Sequence, residues 1–346
     1  MEDDDSYPPP LTVGIAYNLK RGVHAEAEDM EAEYDSLDTV CAIRNVFESA
    51  GYGAELLEAD ADFPERVRHS KAGFVFNIAE GRNGRGREAQ APAILSFLGV
   101  PFSGSDETTL GIALDKAMTK RYLTACGMKT PAWQLVRTPR FDLNPSLRFP
   151  LIVKPNSEGS GKGITGLAVA RDEAQLKALV ERNFRLYGEP MLAEEFIAGR
   201  EFTVGLLGNG EGLTVFEPME IVYRSAEAEN IYSYRVKRDY KDYVDYRCPA
   251  EITADVSQKM KEAAALAFRE LECRDFARVD FRLAEDGTPY FIEINPLPGL
   301  APGYSDYPML AGFCGMDYRT LVLGVLQNAL RRYGMDAPAR ERRDAK

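Results

Sequence analysis

The feature that most restricts the fold is a pair of alternating segments joined by Asp286-Gly287. Residues 277–283 read Ala-Arg-Val-Asp-Phe-Arg-Leu, and residues 289–295 read Pro-Tyr-Phe-Ile-Glu-Ile-Asn. Period-two alternation marks a half-buried strand, and Asp-Gly between two such runs is a strong hairpin signal. With Asp286 and Gly287 as a two-residue loop, Asp280 falls opposite Glu293 and Arg278 opposite Asn295. Val279, Phe281, Ile292 and Ile294 then form the apolar opposite face. Directly opposed side chains hold their Cβ atoms about 4.5–5.5 Å apart, where two carboxylates repel. A divalent cation reverses that sign. Asp, Glu and Asn oxygens on one face suit Mg²⁺, which keeps several waters and also takes substrate phosphate oxygens. The competing reading is a solvated sheet face with scattered charges.

At 346 residues the chain can build two or three substantial cores. A net charge of −12 argues against nucleic acid as a partner, because such binding needs a basic footprint. No apolar run approaches the roughly 20 residues of a membrane span, and the acidic start is unlike a signal peptide. The five cysteines are scattered without a C-x-x-C pair, which points to reduced thiols in a cytoplasmic protein. With His24 and His69 the only histidines, a His-based metal site is not expected.

Along the chain, residues 1–10 read as a disordered acidic, proline-rich leader. Residues 11–110 alternate strand and helix as a small parallel α/β unit does, with strands at 11–17, 54–57 and 73–78 and helices at 37–50 and 89–98. A unit at 111–199 starts with a helix running through Asp115-Lys116 to Cys126. It continues with strands at 133–136, 150–154, 165–170 and 190–194 and a helix at 172–184. A third unit, 200–335, carries the hairpin and a helix at 254–271, and 336–346 is a charged tail.

A second informative segment is residues 152–169, Ile-Val-Lys-Pro-Asn-Ser-Glu-Gly-Ser-Gly-Lys-Gly-Ile-Thr-Gly-Leu-Ala-Val. A lysine ending an apolar strand meets a glycine-rich loop, and another apolar strand follows. Glycines let backbone N–H groups converge into an anion-binding nest. Gly161-x-Gly163-x-x-Gly166 matches a dinucleotide fingerprint, but that motif opens a helix and here a strand follows. Gly161-Lys162 lacks the Ser/Thr that ends a P-loop. A flap over nucleotide phosphates fits better, with a flexible hairpin tip as the plain alternative.

Taken in order, Leu114-Asp-Lys116, Val153-Lys-Pro, the 159–166 loop, Glu194-Glu-Phe-Ile, Arg278-Val-Asp280 and Glu293-Ile-Asn295-Pro-x-Pro-Gly299 resemble the ATP-grasp superfamily. Within it, they are similar to the D-alanine–D-alanine ligases, over residues 11–333. The resemblance implies an α/β (α+β) ATP-grasp fold and an ATP- and Mg²⁺-dependent carboxylate–amine ligase working through an acyl phosphate. It implies two Mg²⁺ ions, with Mn²⁺ as a substitute, a small acid and amine as substrates, and a homodimer. It assigns Lys116 and Lys154 to the ATP phosphates, along with the Gly159, Ser160 and Gly161 flap. Glu194 and Ile197 fall to adenine, Glu201 to ribose and Lys237 to the γ-phosphate. Asp280, Glu293 and Asn295 become the metal ligands. Arg278 and Gly299 stand at the acyl phosphate and tetrahedral intermediate, and Ser160 is the surviving serine of a loop pair. Alternatives are a D-alanine–D-alanine ligase proper and a silent nucleotide-binding module.

The substrate half departs from that pattern. Glu80 stands where the family has His, and Arg82, Arg85 and Arg87 occupy a normally acidic corner. Arg238 replaces a tyrosine, and Tyr304-Ser305 falls where a serine is expected. Glu31 or Glu33 replaces the family's ammonium-binding glutamate, with Ala32 in register. These exchanges lead us to expect a pocket turned basic, for an acid with an extra carboxylate or without a free ammonium.

Overall fold

A computed structural model describes residues 11–22, 31–159, 168–224, 231 and 233–335. The leader, the charged tail, Ser160 and Gly161 lie outside the described residues. Among the described residues no single helix is long and apolar enough to cross a membrane.

Three sheets organise the chain. The first is parallel, in the order Gly53–Glu58, Thr12–Tyr17, Phe74–Asn77. The helix Leu37–Ser49 packs on it. Ser36 caps that helix by accepting from the Thr39 N–H, and Val40, Ile43, Val46 and Phe47 recur at helical spacing as its buried stripe. Phe47 meets the strand residue Phe76 edge-on at 5.1 Å between ring centroids. The second sheet is antiparallel, in the order Trp133–Val136, Met191–Glu195, Leu151–Pro155, Val169–Ala170. The third is antiparallel, in the order Val244–Arg247, Met219–Tyr223, Gly199–Leu207, Phe276–Ala284, Pro289–Asn295. Its apolar face packs on the helix Ala254–Glu270 through Met260, Ala264, Ala267 and Phe268.

Two local departures from the sequence reading matter for the site. The helix expected to run through 115 is two helices, Glu107–Leu114 and Lys116–Ala125, because Asp115 is extended and caps the second by accepting from the Met118 N–H. The hairpin holds the expected pairs Asp280↔Glu293 and Arg278↔Asn295 by a different route. Its loop has three residues, with Ala284 donating to the Thr288 carbonyl and Gly287 in the left-handed region at φ +79°. A β-bulge then restores the phase, since Asp280 pairs with Glu293 but Phe281 pairs with Phe291. Ile292 is the extra residue. It is not on the apolar face as expected; Phe291 takes that place, fully buried and edge-on to Phe281.

Candidate active site

Two cavities meet at Lys237, Arg278 and Glu293, which line both. The smaller one lies between the second and third sheets. Ile152, Lys154, Glu194, Phe196, Ile197 and Glu201 form its wall, with the bulged Ile292 turned into it. The larger, about 420 Å³, opens toward the first sheet and is lined by Glu33, Asp35, Glu80, Glu88, Gly299 and Tyr304, among others.

The hairpin brings its polar groups together as its period demands. Arg278 donates to both Asp280 oxygens, at 3.0 and 2.9 Å, and Thr203 on the adjacent strand donates to Oδ1 at 2.7 Å. Burial works to raise the Glu293 carboxyl, but Lys116, Lys154 and Arg278 outweigh it and bring it down to about 2. Lys116 Nζ stands 3.3 Å from Glu293. Glu293 is therefore a carboxylate across the neutral range. With Asp280 and the Asn295 amide on the same face, these oxygens fit a hard divalent cation.

Lys154 and Glu194 sit at the centre of the smaller cavity. Glu194 is 2 % exposed and lies between two ammonium groups, Lys154 Nζ at 2.6 Å and Lys120 Nζ at 3.0 Å. Burial favours the neutral acid there, but the two lysines outweigh it and hold the carboxyl below its ordinary value. Lys120 is fully buried, and burial drops its pKa to about 8 despite Glu194. Sequence reasoning missed this residue. Its signal was spacing, since Lys116 and Lys120 are one turn apart on the helix capped by Asp115 and so share a face. Glu201 accepts from the Tyr223 hydroxyl at 2.7 Å and pairs with Arg282 at 3.1 Å. Ile197 presents its carbonyl to Arg282 Nε at 3.0 Å.

Asp306 was also missed. It is 2 % exposed and stands 3.7 Å from Arg278 and 3.6 Å from Lys237, a shared counter-charge where the cavities join. Nothing in the local sequence marked it beyond the neighbouring Tyr304-Ser305.

The basic corner expected from Arg82, Arg85 and Arg87 is not part of the substrate cavity. All three line a separate cavity of about 630 Å³ beside it. Arg87 is buried and donates to both Glu33 oxygens, at 2.8 and 2.7 Å, and to the Ser157 carbonyl at 2.7 Å. Glu158 adds a contact at 3.2 Å, so the guanidinium is neutralised by partners that cannot be inferred from sequence. Arg85 is largely exposed, 3.8 Å from Asp115. Arg238 lines neither cavity. It pairs with Asp239 and stacks over Tyr234. Glu33, and not Glu31, faces the larger cavity, because Glu31 accepts from the Arg21 and Gly22 backbone. Gly159 donates to Glu33 at 2.6 Å, an approach a side chain would block, since a Cβ there would lie 2.5 Å from that oxygen. Ser305 accepts from Ala301 N–H at 3.2 Å and lines the cavity with Tyr304.

The cavity wall is thus acidic. Burial and the neighbouring carboxylates Glu88 and Glu33 push Glu80 well up, and burial followed by Glu33 pushes Glu88 up to about 7. Burial also raises Asp35 to about 7, with Lys20 opposing it. From about pH 4 to pH 7 the unfolded chain has shed the Asp35 proton while the folded chain keeps it, so stability falls as pH rises through that window. Asp35→Asn should therefore melt higher than the parent at pH 8, with the difference vanishing at pH 4. Equal melting shifts at both pH values would contradict the raised carboxyl.

With the geometry in hand, comparison with known proteins is direct. The family model described as D-ala D-ala ligase C-terminus matches residues 122–327. The chain is 34% identical to the D-alanine–D-alanine ligase of Bordetella avium over 332 residues, 95% of this chain and 97% of that protein. It is 36% identical over 262 residues to an uncharacterised protein of Sinorhizobium fredii, covering 76% of each. The ATP-complexed D-alanine–D-alanine ligase structure from Bacillus anthracis superposes with a TM-score of 0.74 at 22% identity, covering 94% of this chain and 98% of that one. The VanG D-Ala:D-Ser ligase of Enterococcus faecalis superposes at 0.73 and 20% identity, covering 92% and 99%. These two likenesses carry the fold, which is α+β and of the ATP-grasp type. The Bordetella avium ligase, aligned over 95% of this chain, and the matching family model carry the chemistry: this chain belongs to the D-alanine–D-alanine ligase family, ATP- and Mg²⁺-dependent, ADP-forming enzymes that join a carboxylate to an amine.

Proposed function

We propose that the smaller cavity holds ATP, the larger holds the acid, and the two reactants meet at Lys237, Arg278 and Glu293. The observation that carries this is the sharing of those three residues by both cavities. Glu194 and Ile197 take the adenine end, Glu201 takes the ribose, and Lys116 and Lys154 take the phosphates with Gly159; Ser160 and Gly161, assigned to the same role by sequence, lie outside the described residues. Asp280, Glu293 and Asn295 hold two Mg²⁺ ions, which Mn²⁺ can replace. When bound there, the metal neutralises charge on the transferring phosphoryl group.

An amine cannot displace oxygen from a carboxylate, so the acid is activated first. Its carboxylate oxygen attacks the γ-phosphorus, ADP leaves, and the amine then attacks the acyl phosphate carbonyl and expels inorganic phosphate. Lys237 reaches the γ-phosphate, and Arg278, held by Asp280 and Asp306, steadies the oxygen charge that develops at the carbonyl. Gly299 offers its backbone beside that carbon. The division into units 11–110, 111–199 and 200–335 is supported by the three separate sheets. The substrates are a small acid and amine, both amino acids, and the assembly is a homodimer.

The test is ADP release by purified protein with Mg-ATP across a panel of acids and amines. The expected result is ADP and phosphate formed one to one with an amide product, and only when both partners are present. ATP binding without turnover on any pair would make the chain a silent nucleotide-binding module.

A further inference from the structure

The far wall of the larger cavity is more acidic than one amino group requires. Glu33, Glu80 and Glu88 each bring a carboxylate oxygen within 4.8 Å of the others. Glu33 is satisfied by Arg87 and the Gly159 N–H. Glu88 is not satisfied. It is only 7 % exposed, it lines the cavity, and it has no hydrogen-bond or ion-pair partner among the described residues. Glu80, half-buried, lines the same cavity within 4.8 Å of Glu88 and likewise has no hydrogen-bond or ion-pair partner among the described residues. Asp35, on the same wall, also lacks an ion pair among the described residues, although Lys20 stands near enough to act on its carboxyl.

The charges can be set against one another. Of the carboxylates on this wall, Arg87 offsets Glu33 and Lys20 opposes Asp35 at longer range. The next cation along the wall, Lys116, is engaged by Glu293 at 3.3 Å. Arg87 acts on Glu80, and Arg87 and Lys116 act on Glu88, only at longer range, so neither carboxylate has a cation within ion-pair distance among the described residues. A buried, unpartnered carboxylate is held there at a cost unless something cationic fills the space it faces. One α-ammonium offsets one of the two.

The chemistry of the cluster selects the kind of cation. An ammonium donating N–H bonds of about 2.9 Å in tetrahedral directions wants acceptor oxygens about 4.7 Å apart. A divalent cation such as Mg²⁺ wants oxygens at about 2.1 Å in octahedral array, and so much closer together. It would also have to strip Glu33 from a buried arginine. The engagement of Glu33 by Arg87 and the Gly159 N–H favours an ammonium.

We infer that the acid substrate is a diamino monocarboxylic acid. Its carboxylate points at Arg278 and Lys237, and its two ammonium groups lie against the wall of Glu33, Asp35, Glu80 and Glu88. This inference rests on the ligase reading above and names the substrate class for that site. Glu88 and Glu80 are specificity-determining residues within it. The acidic wall is the reverse of the basic pocket expected from the arginine-rich sequence corner.

The experiment measures ADP release by the full chain with Mg-ATP and the amine panel of the test above, comparing two acid sets of both hands. One set is 2,3-diaminopropionate, 2,4-diaminobutyrate, ornithine and lysine; the other is their uncharged homologues alanine, 2-aminobutyrate, norvaline and norleucine. The expected result is that at least one diamino acid exceeds its homologue with an uncharged side chain in kcat/KM by on the order of 10⁴-fold, as in sites built to pair a polar group. In Glu88→Gln and Glu80→Gln that ratio should fall to about one-tenth of its parent value. If the uncharged acids work as well as or better than the diamino ones and the ratio is unmoved in both variants, the inference is overturned while the ligase reading stands. If no acid of either set supports ADP release, the ligase reading falls and the inference with it. The comparison on the parent protein decides the matter even if a variant fails to fold.

Discussion

Glu293→Gln is expected to lower the rate of ADP release by on the order of a thousandfold, about 4 kcal/mol in the activation barrier. The amide keeps the shape of the side chain but removes its charge. Glu293 is the carboxylate that Lys116, Lys154 and Arg278 jointly hold at about 2, so it is ionised whenever the enzyme works. Its neighbours on the face are Asp280, already shared with Arg278 and Thr203, and a neutral amide, Asn295. Loss of Glu293 leaves too little negative charge to hold a divalent cation beside a triphosphate. Steady-state kinetics at rising Mg²⁺ would show a raised metal requirement together with a lowered maximum. A variant with parental kcat and parental Mg²⁺ dependence would remove the hairpin from the metal site.

Glu194→Gln should have the largest effect on stability, roughly 3–5 kcal/mol by urea unfolding, because it strands two buried ammonium groups. Lys120 and Lys154 both converge on that carboxylate, and Lys120 is fully buried. Without the counter-charge the amines are forced toward their neutral form, so the deficit should shrink as pH rises through the lysine range. Lys120→Met keeps the Glu194–Lys154 pair at 2.6 Å and should be milder. Parental unfolding midpoints for Glu194→Gln at pH 7 would mean that the buried triad is not ionised.

What could be read from the sequence was what repeats locally. Strand period placed Arg278, Asp280, Glu293 and Asn295 on one face, and the structure holds them there. The expected loop was one residue too short, and the bulge at Ile292 cancelled that error at Asp280, Glu293 and Asn295 while leaving it visible in the core, where Phe291 took the place assigned to Ile292. Contacts between distant segments could not be read. Arg87 looked like a pocket cation because its partners Glu33 and Glu158 lie 54 and 71 positions away in sequence, and charge type alone does not say which side of a loop a guanidinium leaves from. Lys120 and Asp306 were missed for the same reason, since each acquires its role only when a second segment supplies the opposite charge.

The bulge at Ile292 also separates two design variables. Between the turn and the bulge, residues 281–284 pair with 288–291; beyond it, Asp280↔Glu293 and Arg278↔Asn295 keep their own register. Removing one residue from the 285–287 loop, with Thr288 drawn in to keep it at three residues, would pair Ala284 with Pro289 and let the ladder run unbroken, leaving Asp280 opposite Glu293 as before. Phe291 and Ile292 would then exchange faces, the ring entering the smaller cavity and the aliphatic chain entering the core. Turn length in this hairpin thus selects which apolar side chain faces the smaller cavity, and it does so without disturbing the Asp280–Glu293 and Arg278–Asn295 pairs. A length change at an exposed loop can in this way retune a buried surface.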